Sequence, residues 1–322
     1  MKDQNVVVAG GGVLGTQIAL MNAFSGNNTT ILIRKEDPIE QTEAKIKRYT
    51  GLMLDDLAAA RQYIGKPAKE AVYPKGLISD WDNLTEAGLD EIIKTAQDNF
   101  ANKLRIVDDT ANLFDDIDFI IEAVTEDPEV KTAFYESIKD LLPEKTIICS
   151  NSSTLLPSTF AEHTGRPEKF SAMHFANSIW KRNTAEVMGH AGTAPETTAM
   201  VIEFAQKIHM VPLVVKKEKA GYLLNTMLLP FQWAGMELWA DGYADVETID
   251  KTWELATGAP SGPLEISDRV GLDTIYNINK MMPGADEEGH IINRLGKKLK
   301  EKIDRGETGV NAGIGFYDYR KC

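Results

Sequence analysis

Apolar residues fall along this chain in two alternating rhythms. Short, nearly unbroken runs of Val, Ile, Leu and Phe occur at NVVVA (5–9), TTILI (29–33), LRIV (104–107), DFIIEAV (118–124), TIICS (146–150), FSAMHF (170–175), AEVMG (185–189) and VPLVV (211–215). Between them lie stretches with helical spacing, such as Pro128 to Leu142 and Pro195 to Ile208. Runs this short and this apolar read as strands buried on both faces, and their separation by helices predicts a parallel sheet covered on both sides. From Glu218 onward the strand rhythm stops. Helical patterns take over at Ala220 to Tyr243, Val246 to Ala256, Gly262 to Met281 and His290 to Arg305. The pattern therefore predicts an α/β chain: a doubly wound sheet over residues 1–217, then an all-helical domain over 218–322, with the boundary near Lys216 to Glu218.

One stretch is too long for a simple crossover. Residues 38–103 carry helical patterns at Glu40 to Ile64 and Asp90 to Asn102 around the polar loop KPAKEAVYPKG, which predicts a helical arm or lid leaving the sheet edge. Lys45, Lys47 and Arg48 give its first helix a basic cluster, either a solvated face or a phosphate contact.

Composition fits a globular enzyme. Of 322 residues 43% are hydrophobic and 26% charged, and no apolar stretch reaches bilayer length. The first strand begins at Asn5, which leaves no room for a signal peptide, so the expected compartment is the cytoplasm. A net charge of −13 speaks against nucleic acid as a partner, while a local cationic patch could still receive an anionic substrate. Cys149, inside a strand run, and the terminal Cys322 show neither metal-ligand nor disulfide spacing.

The first strand run leads directly into candidate chemistry. Gly10, Gly12 and Gly15 stand at G-x-G-x-x-G spacing between NVVVA and a helical pattern, with Val13 and Leu14 inside the motif. In that setting Gly10 permits the tight turn, Gly12 lets backbone approach a pyrophosphate, and Gly15 lets the helix lie close on the strand. A Rossmann-type dinucleotide site is expected. In such sites an acid about 20 positions further on accepts the adenine-ribose hydroxyls. Here Arg34 and Lys35 follow the second strand instead, and Glu36 and Asp37 come late. A guanidinium pairs with a 2′-phosphate that an acid would repel, so NADP is favoured over NAD. The alternative leaves Arg34 as a surface charge, with Glu36 or Asp37 serving the ribose.

Further candidates lie at later strand ends. TIICS runs into Ser150-Asn151-Ser152-Ser153-Thr154, a hydroxyl-rich loop where ligands bind in open parallel sheets. FSAMHF delivers His174 and the next strand delivers Glu186. Such a pair can form a dyad in which the carboxylate fixes the imidazole tautomer and the imidazole exchanges a proton with a substrate hydroxyl.

Taken together these motifs resemble a known family. GGGVLG, EAVTED with Val130-Lys131, SNSSTL, MHFAN, AEVMG, KAGYLLN, GAPSGPLEISDRVGLDT and GIGFYDY follow the order and spacing of the short-chain L-3-hydroxyacyl-CoA dehydrogenases. That family includes bacterial 3-hydroxybutyryl-CoA dehydrogenases and relatives that oxidise L-gulonate or carnitine. The resemblance implies hydride transfer between NAD(P) and an L-3-hydroxyacyl-CoA/3-ketoacyl-CoA pair. It assigns Ser153 to the substrate oxygen, His174 to general acid/base work, Glu186 to orienting His174, and Asn225 to substrate and loop positioning. It places Glu122, Glu126 and Lys131 at the nicotinamide half of the cofactor and Asn177 beside the substrate carbonyl.

Three departures set this chain apart. The family pattern Phe-Phe-Asn-Pro after the catalytic His is here Phe175-Ala176-Asn177-Ser178, which opens the acyl pocket. Arg34 stands at the usual Asp position, and the arm shares only basic helical character, so no CoA contact is carried over. A small non-thioester hydroxy acid is the alternative substrate, and a catalytically idle dinucleotide-binding protein the alternative class. Finally, MLLPFQWAGMELWA holds Met227, Leu228, Phe231, Trp233, Met236, Leu238 and Trp239, more apolar surface than one helix face can bury, and a homodimer is expected.

Overall fold

The apolar runs pair into one eight-stranded sheet. The computed structural model describes residues 3–110 and 113–321, so Cys322 lies outside the described residues. In chain order the elements are β1 (Asn5–Ala9), α1 (Val13–Phe24), β2 (Asn28–Leu32), α2 (Ile39–Ala60), α3 (Glu86–Asn102), β3 (Leu104–Val107), β4 (Phe119–Glu122), α4 (Pro128–Ile138) and β5 (Ile147–Ser150). They continue with β6 (Phe170–Phe175), β7 (Thr184–Met188), α5 (Pro195–Lys207) and β8 (Val211–Val214). The remainder is helical: α6 (Tyr222–Ala240), α7 (Val246–Thr257), α8 (Pro263–Val270), α9 (Leu272–Asn279) and α10 (Ile291–Asp304). Two compact units result, the first ending at Leu223 and the second starting at Leu224.

The sheet order is β3-β2-β1-β4-β5-β6-β7-β8, and β1 to β6 are parallel. Successive residues point to opposite faces, so Val6 and Val8 enter one core with Ile18, Leu20, Ile121 and Cys149. Val7 enters the other with Ile120, Ile148 and Tyr135. Two features depart from the expected uniformly parallel, buried sheet. β7 is antiparallel to β6, because only residues 176–183 separate them and a parallel return needs a crossover of roughly a dozen residues or more. β8, parallel to β7, forms the edge, where Val211, Leu213 and Val214 are exposed.

The segment expected as an arm is part of the body. Tyr49, Met53 and Leu57 of α2 recur one helical turn apart, and with Leu89 and Ala96 of α3 they are buried in the first core alongside Leu77, Ile78 and Trp81. An apolar stripe of this width cannot face water as a free lid would require.

The second unit packs around Trp233, Met236, Ile249, Leu264, Leu272, Ile275, Leu295 and Leu299. The helix expected from Gly262 to Met281 is broken: Gly271 takes φ +98°, a left-handed conformation that ends α8 and starts α9. The closing GIGFYDY segment is held on α8 by the buried Asp268 carboxylate. It accepts the amides of Phe316 (2.7 Å) and Tyr317 (2.9 Å) and the hydroxyl of Tyr319 (3.0 Å).

Candidate active site

The glycine turn at the C-terminal end of β1 is shaped as its spacing predicts. Gly10 has φ +121°, and a Cβ there would sit 2.3 Å from the carbonyl oxygen of Ala123; one on Gly15 would sit 2.0 Å from the carbonyl oxygen of Gly10. Gly12 faces open space, with no atom within 4 Å of where its Cβ would be. No side chain caps α1 at its start and no acid lies in its first turn, so its amides and the positive end of its dipole are free for a phosphate.

Two clefts flank this turn. One, of about 350 Å³, is lined by Gly10, Gly12, Ile33, Arg34, Asp37 and Val130 among others. Arg34 reaches it from beyond β2 with its side chain 65% exposed, and Asp37 holds it: Nε donates to Oδ2 at 3.0 Å and Nη2 to Oδ1 at 2.6 Å, with Glu36 at 3.5 Å. The hydrogen bonds and charge of Arg34 hold the Asp37 carboxyl below its ordinary value. Lys35 is exposed beside them.

The second cleft, of about 310 Å³, is lined by Val13, Leu14, Glu126, Lys131, Asn151, Ser153 and Asn177 with Ala123 and Val124. Its floor is a charged network. Lys131, only 1% exposed, donates to Glu122 at 2.6 Å and lies 3.2 Å from Glu126. Glu126 in turn gathers the loop after β5 on one oxygen. Oε1 accepts the Ser152 hydroxyl (2.7 Å), the amides of Ser153 and Thr154 and the Thr154 hydroxyl (each 2.9 Å). Burial alone would raise the Glu126 carboxyl, but the Ser152 bond, the Lys131 charge and Thr154 outweigh it and hold the group below its ordinary value. Glu122 stands apart from the other cofactor candidates. It is fully buried behind the cleft, where it accepts Lys131, the Val124 amide, Tyr135 and Ser150. Its geometry is that of an anchor for Lys131, not of a group open to a ligand.

His174 and Glu186 are directly opposite across the antiparallel β6–β7 pair. Nδ1 lies 3.0 Å from Glu186 Oε2, and both side chains are buried at 5% and 4% exposure. A carboxylate acceptor keeps the proton on Nδ1 and leaves Nε2 to exchange a proton with a substrate. The other carboxylate oxygen accepts the Leu223 amide at 2.9 Å. The Tyr222 ring stacks on the imidazole, centroids 4.6 Å apart and planes 14° from parallel. Asn151 Oδ1 accepts the Phe175 amide at 3.1 Å and so ties the Ser153 loop to the residue after His174.

Ser153 and Asn177 thus share a cleft with Glu126 and Lys131, and His174 and Glu186 form a buried pair at the end of the neighbouring strand. Asn225 is on α6 in the second unit. Tyr222, stacked on His174, and Gln17, whose Oε1 accepts the Ser178 amide next to Asn177 at 2.9 Å, were not legible as site residues, since neither type at its position carries a chemical signal on its own.

A dinucleotide turn and a carboxylate-held imidazole at the carboxyl ends of parallel strands in one sheet define the nicotinamide-dependent dehydrogenase class. Comparison with known proteins narrows this. The model of the 3-hydroxyacyl-CoA dehydrogenase NAD binding domain matches residues 5–219, and that of the 3-hydroxyacyl-CoA dehydrogenase C-terminal domain matches residues 221–319. The chain belongs to the 3-hydroxyacyl-CoA dehydrogenase family. A 3-hydroxybutyryl-CoA dehydrogenase of Clostridioides difficile is 33% identical over 223 residues, covering 69% of this chain and 78% of that one. The mitochondrial hydroxyacyl-coenzyme A dehydrogenase of Homo sapiens is 27% identical over 317 residues, 98% of this chain and 91% of that one. Among solved structures, a diketoreductase described as acting on dicarbonyl compounds by substrate-directed dual catalysis superposes with TM-score 0.78 at 43% identity, covering 99% of this chain and 100% of that one.

Proposed function

We propose that this chain transfers a hydride between a nicotinamide dinucleotide and a β-hydroxy/β-keto pair, with His174 exchanging the proton of the substrate oxygen. The observation that carries the reading is the buried His174–Glu186 pair at the carboxyl end of the same parallel sheet that holds the dinucleotide turn. Ser153 binds the substrate oxygen, Glu186 fixes the imidazole, and Asn225 positions the substrate. Glu126 and Lys131 serve the nicotinamide half, and Asn177, which the resemblance sets beside the substrate carbonyl, lines their cleft and faces the nicotinamide there as well, with Val13 and Leu14 lining the same cleft. The dinucleotide, when bound, supplies or accepts the hydride.

Two named relatives act on CoA thioesters and a third on dicarbonyl compounds. A 3-ketoacyl thioester is itself a dicarbonyl, so one site chemistry serves both. A 3-ketoacyl-CoA is the first reading of the substrate. The second, a small non-thioester dicarbonyl, is favoured by Ala176 and Ser178, which leave the reacting centre less crowded than the family's Phe and Pro. Arg34 favours NADPH over NADH, but only modestly, because Asp37 already occupies its guanidinium. The exposed Met227 (66%), Leu238 (45%), Tyr243 (77%) and Met281 (77%) of the second unit support a homodimer.

The test follows absorbance of the reduced nicotinamide with acetoacetyl-CoA and with 2,4-pentanedione, each offered NADH and NADPH. Oxidation of cofactor with the thioester supports the first reading and oxidation with the diketone alone the second. No oxidation with either refutes both.

A further inference from the structure

The turn that carries Asn177 is held from the dinucleotide helix. The Ser178 amide donates to Gln17 Oε1 at 2.9 Å and the Ile179 amide reaches the same oxygen at 3.4 Å. Ser178 itself has φ +59°, a left-handed conformation uncommon for a residue other than glycine, and its carbonyl accepts the amides of Lys181 (2.8 Å) and Arg182 (3.0 Å). The other end of the turn is fixed by Asn151 through the Phe175 amide.

Gln17 is 3% exposed and sits in α1 next to Ile18, Ala19, Leu20 and Met21, all fully buried. A carboxamide is costly in such surroundings unless its polar atoms are used. Here it supplies the acceptor for two amides in a turn whose left-handed residue makes no strand ladder. Proline cannot stand at Ser178: it has no N–H to give and its ring fixes φ near −65°. This turn is therefore built differently from one with the Asn-Pro sequence, and Gln17 and Ser178 are its two halves.

We propose that Gln17 is the positioning residue for Asn177, making the dinucleotide helix the template on which the nicotinamide-side amide is set. The inference rests on the reading above only in taking Asn177 to face the nicotinamide. It implies that the pyrophosphate end of α1 and the reacting end of the cofactor are registered through a single side chain four residues into that helix.

Four variants separate this from a general packing role. Gln17→Met keeps the volume and removes the acceptor, whereas Gln17→Glu keeps an acceptor; Ser178→Pro removes both amide and φ, whereas Ser178→Gly keeps both. Each is titrated with the dinucleotide and with ADP-ribose, which lacks nicotinamide, and assayed for kcat and KM. Gln17→Met and Ser178→Pro are expected to weaken dinucleotide binding about three- to tenfold with ADP-ribose affinity held, and to lower kcat about tenfold, as loose placement of a reacting group does. Gln17→Glu and Ser178→Gly are expected within about threefold of wild type in both. Equal weakening of the two ligands, or Gln17→Met binding and turning over as wild type, would overturn the proposal. Should Gln17→Met not fold, equal ligand ratios for Ser178→Pro and Ser178→Gly would overturn it. If wild type reduces no dicarbonyl, the proposed function falls while the ligand ratios still decide this inference.

Discussion

Glu186→Gln poses a problem that the geometry makes specific. Glu186 has two oxygens and each has a donor: His174 Nδ1 at 3.0 Å and the Leu223 amide at 2.9 Å. Gln has one oxygen, so one of the two donors must face an NH₂ group. If the oxygen stays with Leu223, the imidazole must accept at Nδ1, which moves its proton to Nε2, where the base for alcohol oxidation has to be empty. Loss of a positioned proton-transfer group costs about 10² to 10⁴ in rate. If the oxygen stays with His174, the Leu223 amide loses its acceptor at a part-buried place, at about 1 kcal/mol of stability. Glu186→Gln is therefore expected to show a fall of about 10² or more in kcat, a lowered Tm, or a part of each, with dinucleotide affinity near wild type. Steady-state kinetics, a cofactor titration and thermal melting measure the three. A variant with wild-type kcat and wild-type Tm would refute the argument that both oxygens are in use.

Other expectations follow from the same geometry. Asp37→Asn frees Arg34 and removes a like charge from the 2′-phosphate, so the NADPH:NADH preference should rise roughly three- to tenfold, more at low salt; Arg34→Asp should reverse it, and no change in either would reduce Arg34 to a surface charge. Glu126, held below the ordinary carboxyl value of 4.5, contributes stability that is complete above that pH and is lost as pH falls through its lowered folded value. The Tm gap between wild type and Glu126→Gln should hold steady from about pH 8 to 5.5 and close below 4.5; a gap that widens in acid would contradict the sign. Sedimentation should give a dimer at micromolar concentration, and Met227→Asp, placing a charge on a side chain now 66% exposed, should shift it to monomer; a monomeric wild type would exclude the interface.

What the sequence made legible is what a single physical pattern dictates. Strands buried on both faces are readable because both residue parities must be apolar, and Val6, Val7 and Val8 satisfy that requirement at once. The dinucleotide turn is readable because Gly10 and Gly15 are the residues that the close approach of backbone to backbone allows. The His174–Glu186 pairing is readable as a strand-end His followed by a Glu on the next strand. The reversal at β7 could have been read from the short 176–183 connection, which has no room for a helix. Other features depend on tertiary packing that no local pattern records. The segment 38–103 looks like an excursion by length, and only its buried Met53 and Leu57 show it folded into the body. Glu122 looks like a site acid by motif, yet full burial behind Lys131 makes it an anchor. Arg34 reads as a free guanidinium until Asp37, three residues on, is seen to hold it.

His174 carries the proposed reaction most directly. His174→Gln should bind the dinucleotide as wild type does, while single-turnover oxidation of reduced cofactor by acetoacetyl-CoA or 2,4-pentanedione, whichever wild type accepts, slows by about 10² to 10⁴. Turnover within about threefold of wild type would remove the imidazole from the reaction and contradict the central claim.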